Sequence, residues 1–124
     1  MALDDRLKAG VAVACLTRYQ DLIAAGGLKH HGIYYFVPGL LRQFDTEAVI
    51  AGIAPRALLC LNGDQDDGSP VVGIRKIEAV AAPAWAVTGQ AGNFRSVVIP
   101  GLGHEYTQEM WAQTAAWLEE KLHH

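Results

Sequence analysis

Ala57-Leu58-Leu59-Cys60-Leu61-Asn62-Gly63-Asp64-Gln65-Asp66-Asp67-Gly68-Ser69-Pro70 opens on five consecutive apolar residues and runs into a loop holding three carboxylates. An apolar run this short, without polar alternation, is the pattern of a strand covered on both faces, as in a parallel sheet. Ser69 and Pro70 suit the N-cap and first residue of a helix reaching about residue 81. Its apolar positions Val71, Ile74, Ile77 and Val80 recur at threes, which predicts one buried stripe. The stretch therefore reads as strand, acidic loop, helix.

The flanks repeat that grammar. Residues 10–16, Gly-Val-Ala-Val-Ala-Cys-Leu, form a second short apolar run, followed by a helical candidate at 19–25 that Gly26 and Gly27 close. Residues 29–44 change texture: two histidines, then Ile33, Tyr34, Tyr35, Phe36, Val37, Pro38 and Gly39, which predicts an irregular wall. Asp45 is placed to cap a helix over 46–54, with Glu47 at its positive end and Pro55 as its stop. Downstream, residues 83–93 read as a mixed turn region and 95–99 as a third strand ended by Pro100-Gly101. A last helix over 107–122 carries Trp111, Ala115, Leu118 and Leu122 on one face, with Tyr106 able to staple against Trp111.

Strand and helix alternate three times, the order of an α/β fold with about three parallel strands and helices on their faces. No repeat or linker divides the 124 residues, so one domain is expected. The net charge of −3, without a Lys or Arg run, excludes electrostatic recruitment to nucleic acid or an anionic membrane. The N-terminus lacks a secretory pattern and no apolar run is long enough to span a bilayer, so a cytoplasmic address is expected. Cys15 and Cys60 each sit in an apolar run and read as buried, reduced thiols.

In parallel sheets chemistry gathers at the carboxyl ends of the strands. Here one strand leads into Asp64, Asp66 and Asp67, and the next into Gly101-Leu102-Gly103-His104. An acid bonded to imidazole fixes its tautomer and stabilises the imidazolium formed in catalysis. Other uses fit less well. The final glutamate of an EF-hand loop is missing, and a zinc site at His30, His31 and His104 lacks further ligands at suitable spacing. No cofactor or metal is expected.

Gly63-Asp64-Gln65-Asp66-Asp67-Gly68-Ser69-Pro70 resembles the G-x-x-D-x-x-x-P acid loop of α/β-hydrolases, and Pro100-Gly101-Leu102-Gly103-His104 resembles their histidine loop. From about residue 5 to 122 the chain is similar to the C-terminal half of dienelactone-hydrolase-like and acetyl-esterase-like members. The resemblance implies a carboxylic-ester hydrolase of serine-esterase type, with Asp66 as acid and His104 as base. Asp64 and Asp67 are the alternatives if the loop register differs. It also makes residues 30–44 wall material beside an acyl pocket, with Tyr34, Tyr35 and Phe36 lining an apolar slot, and a small ester the partner of an active chain.

The family's nucleophile sits in a G-x-S-x-G elbow ahead of the acid and histidine. The chain has two serines, Ser69 and Ser96, and neither lies in such an elbow. Cys15 ends a strand, but an apolar setting raises a thiol's pKa and keeps it inert. The alternative reading is an inactive, truncated remnant that folds as an oligomer. In it the first strand, lacking a neighbour, associates with a second copy.

Overall fold

A computed structural model describes residues 1–123, apart from the side chain of Tyr34. Three parallel strands, β1 (Ala9–Val13), β2 (Ala57–Gly63) and β3 (Phe94–Ile99), lie in the order β1-β2-β3. Val13 pairs with Leu61, and Gly63 with Ile99, so the strands finish at one rim. Four α-helices, α1 (Tyr19–Ala24), α2 (Thr46–Ala51), α3 (Val71–Val87) and α4 (Gln108–Leu122), alternate with them. The α/β class and the three-stranded parallel sheet expected from the alternation are both present.

Every residue of β2 is buried, because this central strand is covered on both faces. Leu58 and Cys60 point into one core with Leu16, Ile53, Ile74, Ile77, Ala81 and Trp85. Ala57, Leu59 and Leu61 point into the other, against Met110 and Trp117 of α4. β1 and β3 are only partly covered. Among the described residues β1 has one strand neighbour, so its outer backbone edge is unpaired.

α3 departs from expectation at both ends. It runs to Val87, straight through Pro83, where a turn region was expected. Trp85 explains the continuation: it extends the buried stripe of Ile74, Ile77 and Ala81, stacks on Phe94 at 4.6 Å and donates from Nε1 to the Arg56 carbonyl at 2.9 Å. Packing of a Trp is worth about 3–5 kcal/mol, enough to offset the roughly 3 kcal/mol of an interior proline. At the other end Pro70, not Ser69, holds the N-cap position. Ser69 is buried and shares a 2.9 Å hydrogen bond with the Thr17 hydroxyl instead.

In α4 the buried stripe is displaced by one residue from the expected one. Met110 and Trp117 face the sheet, whereas Trp111 and Leu122 are exposed and Leu118 borders the core. The sheet takes the stripe that buries Trp117, whose ring also lies under Lys121 Nζ at 4.9 Å and Arg95 at 5.4 Å. Tyr106 does meet Trp111 edge-on, at 6.1 Å, on the outer side. α2 ends at Ala51, three residues before the expected boundary, with Asp45 as its cap.

Polar ties fix the segments around α1. Asp45 accepts from the backbone N–H groups of Tyr19, Gln20 and Thr46 at 2.7–3.0 Å. Arg18 joins Asp21 on α1 to Glu47 on α2, and Lys76 of α3 reaches Asp21. Burial works against ionised Asp21, but hydrogen bonds from Lys76 and Arg18 outweigh it and hold the carboxyl below its ordinary value. Asp45 is held low in the same way, its three backbone donors overcoming desolvation.

Candidate active site

Because Gly63 and Ile99 are paired, the loops after β2 and β3 leave the sheet side by side. They are then laced together: Asp64 N–H donates to Ile99 O (3.1 Å), Gln65 N–H to Leu102 O (2.8 Å), and Gly101 N–H to the Asp64 carboxylate (2.7 Å). Gly101 sits at φ +72°, a left-handed turn that suits glycine. Gly63 is glycine for a steric reason, since a Cβ there would meet Leu102 and Gly103 backbone. Asp64 thus spends its carboxylate on the loop–loop seam.

Asp66 occupies the seam's inner side, with its side chain 2% exposed. Oδ1 accepts from Gly68 N–H and Oδ2 faces His104 Nδ1, both at 2.9 Å. An ionised carboxylate can only accept, so in the neutral ring Nδ1 carries the proton and Nε2 presents a lone pair. The His104 side chain is 72% exposed. Asp67 is exposed on the same loop. Of the three carboxylates, the geometry pairs Asp66 with the histidine.

A second layer holds the acid loop. After β1 the chain turns through Ala14, a non-glycine residue at φ +49°, and Leu16 N–H donates to Asn62 Oδ1 at 3.2 Å. This brings Thr17 under the loop, where its hydroxyl donates to Gly68 O at 2.8 Å. His31 Nε2 approaches the same carbonyl at 2.9 Å. The sequence marked His31 only as a poorly fitting zinc ligand and did not mark Thr17. Thr17, the first polar residue after the β1 run, was the one available hint.

An open concavity of about 340 Å³ lies beside the pair, lined by His30, His31, Gln65, Asp66, Asp67, Gly68 and His104. Tyr35 and Phe36 stand behind this lining. Tyr35 stacks on His31 at 4.1 Å and packs on Tyr19, and Phe36 packs on both tyrosines. Tyr34, expected in the same slot, lies outside the described side chains. Segments around them form short 3-10 turns, Gly27–His30, Ile33–Tyr35 and Leu40–Arg42, which is the irregular texture expected of residues 29–44.

Among the described residues no serine is placed to serve as nucleophile. Ser69 is buried against Thr17, and the buried Ser96 hydroxyl lies within β3. Cys60 is a buried thiol as expected, and desolvation pushes it up to about 12. Cys15, expected to be buried, is exposed, because the chain has already turned out of the sheet at Ala14. Its thiol is nevertheless raised, by desolvation on its protein side and by the Asp66 charge, so it stays protonated near neutrality. Among the described residues no cluster of His, Cys, Asp or Glu is arranged to hold a metal ion, and no helix is long and apolar enough to cross a membrane.

No protein-family model matches the chain. In sequence it is 35% identical, over 121 residues and 98% of its length, to "Putative hydrolase YtaP" of Bacillus subtilis (strain 168), of which it spans 40%. In fold it matches the methylesterase BT1017 with a TM-score of 0.67 at 15% identity, covering 98% of this chain and 26% of that one. A glucuronoyl esterase from Solibacter usitatus matches with a TM-score of 0.69 at 19% identity, covering 97% and 38%. The chain therefore spans less than half the length of each of these three proteins. The chain is thus similar in sequence to part of a putative hydrolase, and its α/β fold matches part of two esterase structures.

Proposed function

We propose that the chain supplies the acid and the histidine of a serine-esterase-type carboxylic-ester hydrolase. The observation that carries this is the 2.9 Å contact of buried Asp66 with His104 Nδ1 at the strand-end rim. The esterase names of the structural matches support the same reaction class.

The chemistry follows from the ring's orientation. His104 Nε2 takes the proton of an attacking serine hydroxyl, whose oxygen adds to the ester carbonyl. The ring returns that proton to the departing alcohol, leaving an acyl-serine, and then activates a water to release the acid. Asp66 stabilises the imidazolium at each step. The serine comes from outside the described residues, from a further segment or a partner. Tyr35 and Phe36 shape the apolar side of the acyl slot through His31.

The test is a chimera in which this chain replaces the corresponding part of YtaP, assayed with p-nitrophenyl acetate. Turnover that collapses in His104→Ala and Asp66→Ala chimeras is expected. A folded chimera whose rate is indifferent to both substitutions overturns the reading.

The unpaired edge of β1 favours a second reading, in which the pair is idle and two copies of the chain cover each other's β1 edges. Sedimentation of the purified chain decides it: a dimer or larger oligomer is expected, and a monodisperse monomer ends it.

A further inference from the structure

We infer that His31 is a positioning residue for Asp66, tying the aromatic wall segment to the orientation of the acid. The inference rests on the reading of Asp66 and His104 as a working pair. Its basis is a continuous chain of directed hydrogen bonds. His31 Nε2 meets the Gly68 carbonyl at 2.9 Å, and a carbonyl only accepts, so Nε2 bears the proton. The Thr17 hydroxyl donates to that same oxygen at 2.8 Å.

Two donors on one carbonyl fix the peptide plane between Gly68 and Ser69. That plane also closes the loop's turn, in which Ser69 N–H donates to Asp66 O at 3.0 Å. The preceding peptide sends Gly68 N–H to Asp66 Oδ1 at 2.9 Å. With Oδ1 held there, Oδ2 is left facing His104 Nδ1. Rotation of the Gly68 carbonyl away from its donors would swing this turn and misdirect the carboxylate.

His31 is itself well fixed. Its ring stacks on Tyr35 at 4.1 Å with 12° between planes, and the Tyr19 hydroxyl donates to the Tyr35 carbonyl. His31 thus joins the wall to a loop 37 residues further along the chain. Thr17 comes from a different segment, the exit of β1, so the wall contributes one of the two donors and the sheet the other. Loss of His31 is expected to loosen the acid without collapsing the fold, because Thr17 and the Asp64 seam stay in place.

The ring of His104 reports the outcome directly. Its neutral form places the proton on Nδ1 when Asp66 Oδ2 is aligned, whereas imidazole free of a partner prefers the other tautomer. Long-range proton–nitrogen NMR correlations from the non-exchanging ring protons distinguish the two. They are recorded at the alkaline end of the ring's own NMR titration, on its neutral form. The chain and a His31→Gln variant, whose amide keeps a donor near Nε2, are expected to show the Nδ1–H form. His31→Ala is expected to shift most of the population to Nε2–H. Asp66→Asn, whose amide would donate toward Nδ1, is the reference for the wrong tautomer.

An unchanged Nδ1–H form in His31→Ala, alongside a switch in Asp66→Asn, overturns the role of His31 and leaves the pair intact. Absence of the Nδ1–H form from the parent chain overturns both. Equal loss in His31→Ala and His31→Gln, with native hydrogen exchange in β2, also overturns the inference, since the donor would then not be what matters.

Discussion

Adding one methyl group at Gly63 should separate the two halves of the site. A Cβ built there lies 2.6 Å from the Leu102 carbonyl carbon and 2.7 Å from Gly103 O, and nearer still to Leu102 O. Ordinary contact begins at 3.4 Å, so the histidine loop must retreat by more than the 0.8 Å that clears the Leu102 carbon, since Leu102 O lies nearer, and backbone cannot rotate aside. The retreat stretches the Gln65–Leu102 and Gly101–Asp64 hydrogen bonds, now 2.8 and 2.7 Å. Two such bonds are worth about 1 kcal/mol each net, and overpacking adds roughly 1–3. Gly63→Ala should therefore lose about 3–5 kcal/mol in urea unfolding, and the Asp66–His104 bond should break with it. Gly92→Ala is the matched control, since a Cβ there meets nothing within 4 Å. Its change should stay within about 0.5 kcal/mol. Equal stability of the two variants would refute the claim that loop approach at Gly63 builds the site.

Three further outcomes follow from packing and charge. Trp85→Ala should cost about 3–5 kcal/mol in the same assay, because the ring is fully buried and stacked on Phe94. Trp117→Ala should be costly while Trp111→Ala, on the exposed side of α4, should change stability by less than about 1 kcal/mol; the reverse order would move the helix face. Asp45 has a folded pKa below its ordinary 3.8, so its contribution is complete above that value and is lost as pH falls through the folded one. Acid unfolding curves of Asp45→Asn should accordingly be shallower below about pH 4 than those of the parent chain.

The central strand and its acid loop were readable because every residue of β2 is buried, and a strand covered on both faces writes itself as an unbroken apolar run. The pairing of Asp66 with His104 needed the histidine loop as well, since three carboxylates in one loop are locally equivalent. The acid-loop resemblance put Asp66 first, and in the structure the seam made by Asp64 with Gly101 and the exposure of Asp67 set the other two apart. Elsewhere local signals lost to tertiary packing. Pro83 marks a break, yet the burial of Trp85 two residues on carries α3 past it. Both stripes of α4 are apolar enough to be buried, so periodicity alone misplaced the face by one residue. His31 entered the sequence reading only as a poorly fitting zinc ligand, because its contact is with a carbonyl 37 residues away.

With most of its side chain open to water, His104 is tethered at one nitrogen and bare at the other. A proton arriving at that bare nitrogen is shared with bulk solvent, and charge developing on a nearby oxygen is screened by the same water. On the proposed reading, whatever completes the site must therefore bring a roof together with its nucleophile. A hydroxyl delivered to an uncovered ring would gain the base but not the dry surroundings that make the base effective.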